Sequence, residues 1–173
     1  MTLEQIAQRA ETADQTPVSY ILGAGTSHAD APVPWTTHKD ADGTVHTRAC
    51  DCSAFACWAS GVNKDDAGTW YGTDRIVADA KSVQKRWKQL DKPARGCCVV
   101  YPGSRRADGT WHYGHVGVVV DAGGEVTIDC ASTPYKIGGD AITRRANLSF
   151  FWSNPDVIFV VPVDAAAWTE TKA

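Results

Sequence analysis

Two residues in this chain have the type and setting to do covalent chemistry: a cysteine opening one apolar run and a histidine opening another. The cysteine is Cys52, in Ala49-Cys50-Asp51-Cys52-Ser53-Ala54-Phe55-Ala56-Cys57-Trp58, where Asp51 is positioned as a helix cap and Cys52 falls in the first turn. A helix N-terminus presents unpaired N–H groups and the positive end of the helix dipole, which favour a thiolate over a thiol. The histidine is His115, in Gly114-His115-Val116-Gly117-Val118-Val119-Val120, a polar ring at the mouth of an apolar strand with glycines that leave room around it. A thiol and an imidazole together are the minimum parts of a cysteine hydrolase.

An imidazole acting as a base needs a third group to orient it, and the run Glu125–Cys130 offers two, Asp129 and Cys130. A plain two-residue turn at Gly123-Gly124 places Cys130 on the face of His115, and a single bulge places Asp129 there instead. A carboxylate accepts from an imidazole N–H far better than a thiol does, so Asp129 is the chosen partner. Ser53 offers an N–H to an oxyanion site. Trp35, Trp111, His112 and Tyr113 are candidates for lining a substrate groove. Cys50 and Cys57 are read as packing residues, and Arg105-Arg106 and Arg144-Arg145 as solvated pairs.

These groups must be held by ordinary elements. A capping box at Thr2 and Gln5 starts a helix that runs to about Thr12, and residues 17–25 form an extended piece ending in glycines. Residues 26–48 are polar and without period, and read as a long loop. A helix is expected over 52–60. A second is expected over 74–90, where Ile76, Val77, Ala80, Val83, Trp87 and Leu90 form a helical stripe. Strands follow at 97–101, 115–120, 125–130 and 157–163. Helices first and an antiparallel sheet afterwards make an α+β fold, a single domain over 1–173.

Composition narrows the function further. A net charge of −3 with no basic run gives no case for nucleic acid. The cysteine spacing is not that of a zinc site, and neither metal nor cofactor is expected. No apolar stretch is long enough to span a membrane, and the first residues lack a signal-peptide pattern. The chain is therefore expected to be made in the cytoplasm.

With these motifs in place, the chain resembles the NlpC/P60 superfamily of papain-like cysteine hydrolases over roughly residues 17–132. Asp51-Cys52-Ser53-Ala54-Phe55 is similar to that family's D-C-S-G-F motif, with Ala54 for glycine. Gly114-His115-Val116-Gly117-Val118 is similar to its G-H-V-G-I strand. Tyr20-Ile21-Leu22-Gly23-Ala24-Gly25 is similar to its upstream Y-x-x-G-G segment. Gly96-Cys97-Cys98-Val99-Val100-Tyr101 stands in the place of G-D-L-V-F-F. The third catalytic position, commonly histidine in that family, is Asp129 here.

The resemblance implies helices packed on a small antiparallel sheet, and Tyr20 polarising the substrate carbonyl. It also implies cleavage of an amide bond in peptidoglycan stem peptides. An acyltransferase or amidase on another substrate, or a phage protein with a relic site, are the alternatives. A hydrolase of this kind reaches the periplasm or cell wall through a holin, a phage tail or virion, or a secretion machine.

Overall fold

The computed structural model describes residues 1–66, 69–83, 86–132, 141–146, 151 and 153–165. Helix α1 (Leu3–Thr12) begins with the expected capping box, the Thr2 hydroxyl accepting from the Gln5 N–H and the Gln5 side chain accepting from the Thr2 N–H. Its Ile6, Ala7 and Ala10 face inward. Helix α2 (Cys52–Ala59) carries no charged residue, and all eight of its residues are buried. A helix apolar on every side has to be enclosed by the rest of the protein, and this one is wrapped by α1 and the main sheet. Helix α3 (Thr73–Ala78) continues into a π-helical turn over Asp79–Val83.

With strands numbered in chain order, the main sheet runs β1 (Thr16–Pro17), β13 (Ala141–Ala146), β12 (Val126–Ala131), β11 (His115–Val119), β8 (Cys98–Tyr101), β14 (Ile158–Pro162) and β7 (Trp87–Leu90), antiparallel throughout. A smaller sheet joins β2 (Ser19–Tyr20), β4 (Val45–Cys50) and β3 (Thr36–Lys39). Two short ladders remain, β5 (Asp65–Asp66) with β6 (Thr69–Trp70), and β9 (Ser104–Arg105) with β10 (Trp111–His112).

Alternation along the strands divides the core. Val116, Val118, Cys98, Val100, Ile128, Cys130 and Ile142 pack with Ile6, Phe55 and Ile76 on the helix side. Val99, Tyr101, Val119, Phe151, Phe159 and Val161 form a second cluster on the opposite face. This is the α+β papain-like arrangement expected from the order of elements.

Four expectations need correction. The helical stripe over 74–90 is not one helix: α3 passes into the π turn over Asp79–Val83, and Trp87–Leu90 is the edge strand β7 paired with β14. The Asp79 carboxylate accepts from the N–H groups of Arg86 and Trp87, which turns the chain out of the helix. The long loop contains the β3–β4 hairpin, turned through Asp40–Thr44 with Gly43 at φ +95°. Its residues are largely exposed, so no apolar alternation marks them.

The turn between β11 and β12 is longer than two residues. Val120 and Val126 close it, and the register pairs Val118 with Ile128 and Val119 with Thr127. Finally, β13 was not anticipated, and Arg145 on it is not a solvated residue; its place is described below.

Candidate active site

The nucleophile segment is a strand running straight into a helix. Cys50 ends β4, Asp51 is the extended N-cap at φ −113°, and Cys52 is the first helical residue of α2. Strand β2 lies parallel to β4 with Tyr20 beside Cys50, which brings the phenol over the helix start. The Tyr20 hydroxyl donates to Cys52 Sγ at 3.6 Å. Burial, then the charge at Cys52, push the Tyr20 phenol far above its ordinary range, so it stays a proton donor.

The glycine segment after Tyr20 makes this approach possible. Gly23 N–H donates to Asp51 at 2.7 Å, and Gly25, at φ +110°, packs directly on the Ala54 side chain and 3.0 Å from the Pro34 carbonyl where a Cβ would stand. Gly25→Ala is expected to lower stability by about 2 kcal/mol or more, because both the backbone angle and the Ala54 methyl reject a side chain. Thermal unfolding of the variant checks this.

His115 opens β11 opposite Tyr101 on β8, and its ring stacks on Phe151 with centroids 5.6 Å apart. Its Nε2 bonds Asp129 Oδ2 at 2.6 Å, which leaves Nδ1 as the ring nitrogen available to the nearby Cys52. Gly117 permits this contact: a Cβ there would meet the Asp129 Cβ at 3.2 Å and the Phe151 ring at 3.3 Å. Asp129 is fully buried and takes a further bond on each oxygen from Arg145 Nε, at 3.0 and 3.2 Å. Arg145 reaches it because Thr127 of β12 pairs with Arg145 of β13, which puts Arg145 on the face of Asp129.

The electrostatics follow from these contacts. Burial works against a charged imidazole, but the charge at Cys52 and the bond to Asp129 outweigh it and push His115 up to about 9. Burial likewise works against the Asp129 carboxylate, and the bonds from His115 and Arg145 overcome it and hold the group below its ordinary value. If the thiolate–imidazolium pair is the active form, the alkaline limb of kcat/KM lies where His115 loses its proton, near 9. Arg145→Met removes a cation that competes for Asp129 and repels the imidazolium. The alkaline limb should then move to higher pH by about half a unit or more, and a pH–rate profile reads the shift.

A cavity of about 550 Å³ opens onto this group, lined by Tyr20, His115, Leu22, Arg106, Trp111 and Tyr113 among others. Trp111 and Tyr113 are half exposed or more, as groove residues would be. His112 stacks flat on Tyr101, with ring centroids 5.8 Å apart, and so ties this wall to β8. Asp74, at the start of α3, anchors the same wall by accepting from the Gly103 N–H at 2.6 Å.

Trp35 lies elsewhere, packed against the helix-side core with the Arg48 guanidinium over its ring. Ser53 is buried, its hydroxyl donating to Asp51 at 2.8 Å. Cys50, Cys57 and Cys130 are buried packing residues, Cys130 pointing to the helix side with its thiol on the Cys50 carbonyl at 3.5 Å. Sequence reasoning missed Arg145 and Lys64. For Lys64, the signal was a lone lysine shortly after an otherwise uncharged helix. Among the described residues, no group of three or more His, Cys, Asp or Glu side chains is placed to hold a metal, and no helix is long and apolar enough to cross a membrane.

A thiol at a helix start, facing an imidazole backed by a carboxylate across an antiparallel sheet, defines a papain-like cysteine and histidine site. The CHAP domain family matches residues 41–131, more than half of the chain, and the chain belongs to that family. CHAP domains form part of the NlpC/P60-related group and are typically cysteine- and histidine-dependent amidohydrolases associated with peptidoglycan. The matched span takes in Cys52, His115 and Asp129 and leaves Tyr20 and Arg145 outside it. No curated protein matches the chain.

Proposed function

We propose that this protein hydrolyses an amide bond in peptidoglycan stem peptides through an acyl-enzyme on Cys52. The observation that carries the reading is the grouping of Tyr20, Cys52, His115 and Asp129, with hydrogen bonds from Tyr20 to Cys52 and between His115 and Asp129, beside an open cavity with an aromatic wall. In this reading His115 takes the Cys52 proton, and the thiolate attacks the scissile carbonyl. The oxyanion forms next to the Tyr20 hydroxyl and the free N–H groups at the start of α2, which stabilise it without reorganising. His115 then gives its proton to the leaving amine. Water, deprotonated by His115, cleaves the thioester and restores Cys52. Asp129 keeps the ring in the orientation that both transfers need.

The substrate reading rests on family membership together with the cavity, whose volume suits a short peptide rather than a folded protein surface. We further propose that the chain works in the periplasm or wall, carried there by a holin, a virion or a secretion machine. The test is incubation of the protein with purified sacculi and defined muropeptides. New free amino groups and shortened stem peptides are expected. Acylation of Cys52 seen by mass spectrometry, without muropeptide products, would instead point to transfer or hydrolysis on another amide or thioester.

A further inference from the structure

We infer that Lys64 is a positioning residue for Cys52, acting through Asp51 by holding that carboxylate electrically neutralised behind the thiol. The inference rests on the assignment of Cys52 as nucleophile and concerns a residue outside the group just described.

Lys64 is completely buried, and its ammonium group lies 2.9 Å from both oxygens of Asp51, itself 2% exposed. The Asp51 carboxylate also receives the Gly23 N–H at 2.7 Å, the Ser53 hydroxyl at 2.8 Å and the Ala54 N–H at 2.6 Å. One carboxylate thus joins the glycine segment behind Tyr20, the first turn of α2 and the segment after that helix. Lys64 is itself fixed from two sides, its N–H on the Ser27 carbonyl at 2.9 Å and its carbonyl under the Tyr71 N–H at 2.8 Å. Replacing such a pair by apolar groups of similar size is often no loss to stability. A helix cap needs only an oxygen acceptor, which serine or asparagine supplies without a charge.

The charge on Asp51 has a specific drawback here, because it sits on the residue adjacent to Cys52. An unbalanced anion at that distance, in low dielectric, opposes formation of a thiolate, and Lys64 cancels it. The other groups around Cys52 are Tyr20 from β2 and His115 from β11, with Cys57 farther along α2, while Asp129 stands behind His115 and Cys130 lies near Tyr20. Among these His115 is the cation, so the acidic neighbour is balanced by Lys64 rather than by the imidazole, which is left to pair with the thiol. Lys64 and Asp51 together keep the Tyr20–Cys52 spacing while adding no net charge beside it.

The test is the pH dependence of iodoacetamide alkylation at Cys52, read by mass spectrometry on the intact protein, in four forms: wild type, Lys64→Met, Lys64→Arg and the double variant Asp51→Asn with Lys64→Met. The alkylation midpoint should rise by about one pH unit or more in Lys64→Met, a roughly tenfold loss of reactivity below the midpoint. It should stay near wild type in Lys64→Arg and return toward wild type in the double variant, which restores neutrality and keeps a cap oxygen. An unchanged midpoint in Lys64→Met overturns the inference. So does a double variant as shifted as the single one, since packing rather than charge would then be at fault. If Lys64→Met does not fold, the double variant against Asp51→Asn alone decides: the inference requires a lower midpoint in Asp51→Asn, where the lysine charge is unopposed. No peptidoglycan enters these measurements, so their failure is separable from failure of the proposed substrate.

Discussion

Cys52→Ala is expected to reduce release of amino groups from sacculi to background, a loss of at least about 10⁴-fold in kcat, with the fold intact. Cys52 is only 4% exposed and contributes a single sulfur to a well-packed first turn. Alanine is the best helix former and leaves the Asp51 cap and its bonds untouched. The variant should therefore unfold within a few degrees of wild type while losing the only atom that can carry the acyl group. Comparing thermal unfolding with product release separates the two effects. Activity retained above about 1% of wild type would remove Cys52 from the mechanism.

Asp129→Asn is expected to be nearly as severe, lowering kcat by about 10²–10⁴-fold. The asparagine keeps the shape but loses the charge that orients and supports the imidazolium through the 2.6 Å bond to Nε2. Its effect on pH dependence has a definite sign. His115 is pushed up to about 9 in part by that carboxylate, so the alkaline limb must fall to lower pH when the charge is removed. This is the opposite direction to the shift expected for Arg145→Met. The two variants therefore form a matched pair: one strips the anion from the imidazolium, and the other strips a competing cation from the anion. A pH–rate profile on both, with His115 followed by NMR, shows whether the ring answers to Asp129 in the way its geometry requires.

The nucleophile and its helix were legible because short-range rules decide them: an aspartate cap and an apolar run, whereas the strand β4 that delivers the chain to Cys52 was not. His115 was legible for a similar reason, since a histidine at the mouth of a valine strand has few ordinary explanations. The third partner was harder. Turn length alone left Asp129 and Cys130 in contention, although the alternation Val126, Ile128, Cys130 already carried the apolar face that packs on the helices. Read from that face, Asp129 belongs with His115.

Arg145 could not be read at all from its neighbourhood. It matters through a cross-strand pairing with Thr127, and nothing in Ala141–Ala146 announces a strand that must lie against β12. The stripe over 74–90 failed for a related reason. Spacing recorded which residues are apolar, while the partner strand β14 and the carboxylate of Asp79 decided what backbone they adopt.

The pairing of β11 with β12 also protects the chemistry against errors in folding. Were β12 to slip by one residue, Cys130 or Ile128 would arrive beside His115 and the site would be mute. The same slip would drag Ile128, Cys130 and Val126 out of the helix-side core and drive Thr127 and Asp129 into it. Two buried apolar side chains alone are worth about 3 kcal/mol or more, and a buried carboxylate without partners costs further. An inactive register is thus also an unstable one, and the helix-side core serves as a proofreader for a carboxylate on the opposite face of its strand.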